Sequence, residues 1–412
     1  MRDLASLLKT KRENSVYRQR LLSESPVGAE VSINGESLLN FCSNDYLGLA
    51  NDPRLLQACT AGIAQYGVGS GASQLITGYQ TAHHELELAL ADFLERPRVL
   101  LFSTGYMANV GVISTLLQKG DHVIEDRLNH ASLIDGARMS DARLYRFPHQ
   151  SMTALDNTLS KISANQTQAL TMDQGSTSSV VQKLVVSDAV FSMDGDLADI
   201  NALVQCAQAN NADLMIDDAH GLGVLGDQGR GSLALAGLRG AEATKSVPIL
   251  VGTFGKAFGT FGAFVAGGDD LIETLIQEAR SFIYTTAPPA AIAVATLVSL
   301  KIIQEEEWRR EALAARIIQL QSGLQQLGLT PDKSPSAIQP IITGSSDSAI
   351  KLSHELRQLG FLISAIRPPT VPNNTARLRI TLSALHTEQH IDRLLLALDK
   401  LKVEKWVNHV NG

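Results

Sequence analysis

VLLFSTGYMANVGVISTLLQKGDHVIED (99–126) sets a short apolar run, VLLFS (99–103), ahead of a segment with apolar residues at helical spacing, ANVGVISTLLQKG (108–120), and a second run, HVIED (122–126). Periodicity reads this as strand, helix, strand. The pattern continues outward. HHELELALADFL (83–94) is helical by its spacing, and KLVVSDAVF (183–191), DLMIDD (213–218) and PILVGT (248–253) are further apolar runs of strand length. Such alternation predicts an α/β fold, with a mainly parallel sheet covered by helices on both faces. In sheets of that kind ligands gather beyond the C-terminal ends of the strands.

Toward the ends of the chain the pattern changes. A polar stretch, ANQTQALTMDQGSTSS (164–179), is expected to be a surface excursion before the next strand. From residue 290 a long helical segment (290–325) leads into IQPIIT (338–343), a helix at SAIKLSHELRQLG (348–360), FLISAIR (361–367), ARLRITLS (376–383) and a closing helix. The expected division is an N-terminal segment (1–45), a large α/β domain (46–289) and a small α+β domain (290–412). The opening MRDLASLLKTKREN (1–14) reads as an amphipathic helix without a secretory apolar core.

No apolar run reaches the roughly 18–20 residues that span a bilayer. A net charge of −7 argues against a nucleic-acid surface. Three scattered cysteines, Cys42, Cys59 and Cys206, suggest neither a disulfide framework nor a CxxC metal site. Reduced thiols in a cytoplasmic protein are the expectation.

The most informative chemistry lies in VGTFGKAFGTFG (251–262), where a lysine stands among glycines directly after a buried strand. A lysine that forms a Schiff base must be deprotonated to attack, which a desolvated site favours. Alone, a glycine-flanked lysine is more often an exposed loop residue. LMIDDAHGLG (214–223) changes that balance. Asp217, at the end of a strand, can hold a pyridinium nitrogen protonated and so make the ring an electron sink, and His220 can hydrogen-bond the ring's phenolic oxygen. Separately, Asp217 is an ordinary turn residue and His220 a loop histidine. Together with Lys256 they describe a site for pyridoxal 5′-phosphate (PLP). Its phosphate would fit the helix start in FSTGYMANVG (102–111), through Gly105 and Tyr106, and the hydroxyl of Thr253.

Gly221, Gly223 and Gly226 formally match GxGxxG, so an NAD-dependent oxidoreductase is the rival reading. These glycines follow an intervening DDAH and lead into DQGRGS, which is not helix-like, so the match is weak. His83, His84 and Glu85 lack the HExxH spacing of a zinc helix, and no metal is expected. A non-catalytic PLP-fold protein serving as a sensor is hard to reconcile with an intact Lys256, Asp217 and His220 set.

Nearly the whole chain resembles the α-oxoamine synthases. The resemblance is carried by NFCSNDYLGLA (40–50), GSGASQLITGY (69–79), FSTGYMAN (102–109), RLNHASLIDGAR (127–138), VFSMDGD (190–196), DDAHGLGVLGDQGRGS (217–232) and TFGKAFG (253–259). It implies a fold-type I, aminotransferase-like PLP enzyme that joins an amino acid to an acyl thioester with loss of carbon dioxide. AIRPPTVPNNTARLRITLSALHT (365–387) resembles the biotin-pathway branch, which uses L-alanine and pimeloyl-CoA or pimeloyl-acyl carrier protein. RLNHASLIDGAR also resembles the threonine-pathway branch, which uses glycine and acetyl-CoA.

Carried over by residue, the resemblance makes Lys256 the Schiff-base lysine, Asp217 the partner of the ring nitrogen and His220 a contact of the phenolic oxygen. It makes His130 the histidine stacked on the ring, Ser192 a support of the phenolic oxygen, and Gly105, Tyr106 and Thr253 the cofactor cradle. Arg18 (with Arg20 as its substitute), Asn44, Arg367 and Thr370 become substrate residues. A homodimer is implied, with YTTAPPA (284–290) contributed by the partner subunit.

Overall fold

The computed structural model describes residues 3–13, 16–172 and 181–407. In chain order the strands are β1 (Glu30–Ile33), β2 (Glu36–Asn40), β3 (Arg98–Phe102), β4 (His122–Asp126), β5 (Arg143–Phe147), β6 (Lys183–Asp188), β7 (Asp213–Asp217), β8 (Ile249–Thr253), β9 (Ala263–Gly267), β10 (Ile338–Gly344), β11 (Phe361–Leu362), β12 (Ser364–Ile366) and β13 (Ala376–Thr381). The first helices are α1 (Leu4–Glu13), α2 (Pro53–Tyr66), α3 (Thr81–Leu94), α4 (Gly105–Leu116), α5 (Ala131–Met139) and α6 (Met152–Met172). Two compact units result: a larger one of Asp52–Phe191 and Leu197–Glu306, and a smaller one of Met1–Asn51, Ser192–Asp196 and Glu307–Gly412.

The larger unit is built on a seven-stranded sheet of order β3-β9-β8-β7-β6-β4-β5. The pairs β4–β5, β4–β6, β6–β7 and β7–β8 are parallel, while β9 runs antiparallel to both β3 and β8. β6 and β9 are buried along their whole length, which is why they read as continuous apolar runs. Leu100, Val123, Val186, Met215 and Val251 pack with Val112 and Ile113 of α4 in the sheet's core. Local signals start the helices. Asp52 caps α2 ahead of Pro53, and Thr104 caps α4 by accepting from the Met107 amide.

Three expectations are corrected here. The polar stretch 164–179 is not an excursion over its first half, because α6 continues to Met172; residues 173–179 lie outside the described residues. The helical segment 290–325 is two helices, Ala290–Glu305 and Glu307–Gln326, broken at Glu306. The first of these packs into the larger unit, so the division falls after residue 306 instead of after 289. Its approach to α2 is close: a Cβ on Gly62 would lie 2.7 Å from the Ala291 Cα.

In the smaller unit the N-terminal and C-terminal parts of the chain share sheets. β2 pairs antiparallel with β1 and parallel with β11, matching Leu39 with Phe361. β13 lies between β10 and β12, antiparallel to both. FLISAIR therefore supplies two strands to two different sheets. This pairing draws residues 1–51 into the C-terminal unit, so they do not form a segment of their own. α1 forms as expected and buries none of its residues.

Glu125, on β4, is fully buried, and neither carboxyl oxygen has a partner among the described residues. Burial pushes its pKa from 4.5 up to about 7, partly offset by Arg146 and Arg138. Between those values the folded protein holds a proton that the unfolded chain has lost, so this group's contribution to stability falls as pH rises and is fully lost above 7. Glu125→Gln is expected to raise the melting temperature at pH 8, through roughly 3 kcal/mol of relieved penalty, and to change it little at pH 4.5. Calorimetry at both pH values checks this.

Candidate active site

The predicted residues of the larger unit lie at the C-terminal ends of its central strands. Asp217 ends β7, Asp188 ends β6 directly opposite it in register, and Thr253 ends β8. Lys256 is three residues beyond, in the loop between β8 and β9. The Phe254 amide donates to the Gly262 carbonyl, and the Thr260 and Gly259 amides to the Phe254 and Lys256 carbonyls, so that loop is pinned. Lys256 and His220 are half-buried, and Asp217 is buried.

Asp217 accepts two hydrogen bonds, from the Ala219 amide at 3.0 Å and from Asn109 Nδ2 at 2.6 Å. The same Asn109 nitrogen donates to Ser132 Oγ at 2.9 Å, and Ser132 Oγ lies 2.7 Å from His130 Nδ1. His130 caps α5, and its own amide donates to Asp188 Oδ2 at 2.7 Å. His130 as a whole residue is exposed, yet partial burial lowers its pKa; Asp217 opposes that shift and Lys256 adds to it. Burial raises the pKa of Asp188 well above the carboxylate range, and the neighbouring Asp217 raises it further. Lys256 acts on both His130 and Asp188, so these groups share one electrostatic neighbourhood.

Gly105 opens α4 against Thr253: a Cβ there would fall 2.6 Å from the Thr253 methyl. The buried Thr253 hydroxyl has no hydrogen-bond partner among the described residues. Tyr106 is half exposed, and its hydroxyl donates to Asp135 Oδ2 at 2.8 Å.

Of the glycines that match GxGxxG, Gly221 packs against the side chain of Asp218 and Gly226 against the Gly231 carbonyl. Asp218 is fully buried and accepts from the Ser232 amide and hydroxyl, both at 2.6 Å. A Cβ on Gly221 or on Gly231 would fall 2.1 Å from one of its oxygens. His83, the apparent metal candidate, is buried at the start of α3, where it completes a capping box and its Nε2 lies 2.8 Å from the Pro288 carbonyl.

In the smaller unit Arg18, Arg367 and Thr370 line one cavity of about 180 Å³ with Val16, Ala365, Ile366 and Pro368. Of the two N-terminal candidates, it is Arg18 that lines it. Asn44 and Ser192 meet at a residue the sequence reading passed over, Arg379. Its Nη2 donates to Asn44 Oδ1 at 3.1 Å and its Nε to the Ser192 carbonyl at 2.6 Å. Arg377 and Arg379 project from the same face of β13, and both are buried. Arg377 pairs with Asp194, whereas Arg379 has no carboxylate partner among the described residues.

The sequence reading also passed over Asn109, Ser132 and Asp188. Each stood inside a quoted stretch, and the available signal was a small polar residue at a position otherwise reserved for the core.

The family model for class I and II aminotransferases matches residues 36–398, and the chain belongs to that family. An 8-amino-7-oxononanoate synthase of Nitrosococcus oceani is 53% identical over 391 residues, covering 95% of this chain and 98% of that one. An 8-amino-7-oxononanoate synthase of Pseudomonas putida is 53% identical over 396 residues, covering 96% of each. Among solved structures, a serine palmitoyltransferase from S. paucimobilis with bound PLP–myriocin aldimine superimposes with a TM-score of 0.87 at 29% identity, covering 98% of both chains. An 8-amino-7-oxononanoate synthase from Francisella tularensis gives 0.73 at 30% identity, covering 89% of this chain and 99% of that one. Within the aminotransferase class this chain therefore falls among the 8-amino-7-oxononanoate synthases.

PLP is the cofactor of this family, and the residues present fit it. The Thr253 hydroxyl, unpartnered among the described residues, lies beside Gly105 at the start of α4, where the amides of a helix start suit a phosphate. Asp217 ends β7, and Lys256 lies in the loop that follows the adjoining strand β8. Among the described residues no helix is long and apolar enough to cross a membrane.

Proposed function

We propose that this protein condenses L-alanine with a pimeloyl thioester, carried on CoA or acyl carrier protein, to give 8-amino-7-oxononanoate, carbon dioxide and free thiol in biotin biosynthesis. The observation that carries the reading is the placement of Asp217, His130 and Lys256 in one electrostatic neighbourhood, in a chain whose relatives carry that name.

Thr253, Gly105 and Tyr106 would hold the cofactor's phosphate end, Asp217 its ring nitrogen, and His220 and Ser192 its phenolic oxygen. Bound PLP supplies a sink for the electrons left on the amino acid's α-carbon. The chain's own groups do the rest. Lys256 Nζ takes the α-proton as general base and returns a proton after carbon dioxide has left. His130 packs on the ring and orients the substrate. Arg379, a buried guanidinium without a carboxylate partner among the described residues and with Asn44 beside it, is suited to an anionic group. Arg18, Arg367 and Thr370 line a cavity with apolar walls, which suits an acyl chain ending in a carboxylate.

We further infer a cytoplasmic homodimer. The free state of all three cysteines fits a reducing compartment. Exposed Ile76, Leu88, Phe261 and Tyr284 in the larger unit support a covering partner, and sedimentation of the holoenzyme tests it.

Thiol release by the PLP-loaded protein is the test of activity, with L-alanine, glycine and L-serine offered separately with pimeloyl-CoA. Release dependent on L-alanine is expected. Release only with glycine and acetyl-CoA would overturn the assignment in favour of the threonine-pathway activity.

A further inference from the structure

The chain of contacts between His130 and Asp217 fixes where its protons lie. A carboxylate can only accept, so the Asn109 atom 2.6 Å from Asp217 Oδ2 is the amide nitrogen. That nitrogen also donates to Ser132 Oγ, 2.9 Å away. The Ser132 oxygen thus accepts a hydrogen bond from one side, and its own hydrogen is left for His130 Nδ1 at 2.7 Å. The Ser132 amide donates to the same ring nitrogen at 3.3 Å. With two donors aimed at it, Nδ1 is an acceptor, and the neutral ring carries its hydrogen on Nε2. Asn109 and Ser132 are 1% and 0% exposed, so water does not compete for either bond.

We propose that Asn109 and Ser132 are positioning residues, which hold His130 as the Nε2–H tautomer and tie the orientation of its ring to the carboxylate of Asp217. Neither would touch a reactant; both act through His130 and Asp217. The arrangement makes His130 Nε2 a hydrogen-bond donor toward whatever lies on the cofactor's face. It also gives Asp217 a fixed direction, since its two oxygens are held by different donors, Ala219 N and Asn109 Nδ2. Besides Asp217, the charges that reach His130 are those of Lys256 and Asp135. The proposal rests on the PLP reading of the site but not on the identity of the acyl donor.

The test uses the full chain with Ser132→Ala, Asn109→Ala and the double variant. Each is followed by melting of the apoprotein, by the PLP dissociation constant, by pH titration of the bound cofactor's visible band, and by kcat and KM for L-alanine. Ser132→Ala is expected to lower kcat by about 10–100-fold, the range for removing the hydrogen-bond partner of a metal-bound histidine. Its PLP dissociation constant and its KM are expected to stay within about threefold of the parent. Asn109→Ala is expected to weaken PLP by about tenfold and to move the pH midpoint of the visible band. The double variant is expected to lose less than the product of the single losses, because both changes break one chain.

Variants that melt lower but keep the parent's dissociation constant, band midpoint and kcat would show a purely structural role and overturn the proposal. Independent, multiplicative losses would overturn the link between His130 and Asp217. Ser132→Ala removes a single oxygen, so it carries the test even if Asn109→Ala does not fold. PLP binding and the band titration need no acyl donor, so failure of the pimeloyl assignment would leave these outcomes readable.

Discussion

Lys256→Ala is expected to lower thiol release from pimeloyl-CoA and L-alanine by about 10⁴-fold or more, because one substitution removes both the covalent tether and the general base. The fold should survive. The Lys256 loop is held by main-chain bonds between Phe254 and Gly262, between Thr260 and Phe254, and between Gly259 and Lys256, none of which needs the lysine side chain. The variant should still take up PLP, more weakly, through the Thr253 and Asp217 ends of the site. Borohydride followed by intact-mass measurement should then leave the variant unlabelled, while the parent gains a covalently fixed cofactor. Turnover within about tenfold of the parent would remove Lys256 from the chemistry.

Asp217→Asn and Asp188→Asn should differ sharply, although the two carboxyls face each other in register on adjacent strands. Asp217→Asn is expected to cost on the order of 10³-fold in kcat, the scale of losing an electrostatic partner made for the transition state. It deprives the ring nitrogen of its anion and places an amide against Asn109. Burial, and after it Asp217 itself, push the Asp188 carboxyl toward its neutral form. Asparagine there is close in shape to the carboxyl and can still accept from the His130 amide. Its kcat is expected within about threefold of the parent. Steady-state kinetics with saturating PLP compares the two. Equal losses would mean that charge at Asp217 is not the deciding property.

The sheet and its ligand edge were legible because they rest on local signals. β4 occupies the expected HVIED, and β3, β6, β7 and β8 lie within a residue or three of the predicted runs. β9 went unread. AFVAG is short and glycine-flanked, and it is a strand because β3 and β8 sit on either side of it, which no local window contains. Pairing across the chain also explains the domain boundaries. Nothing within residues 30–40 announces that β2 will pair with residues beyond 360.

Lys256, Asp217 and His220 stood out because a reactive residue type fell in an unusual place. Asn109, Ser132 and Arg379 did not, because an asparagine in a helix or an arginine in a strand is common. Their meaning comes from which partner is present or missing.

Among the described residues β3 touches the sheet through β9 alone, so residues made near position 100 wait for residues made near 265 before they have a hydrogen-bonded neighbour. A chain growing from the ribosome would therefore expose the apolar β3 until Gly267 has emerged. The loop carrying Lys256 is completed by the same strand. Chains cut short anywhere before that point would present an open, aggregation-prone edge, and the capacity to fix the cofactor would arise only when the sheet closes.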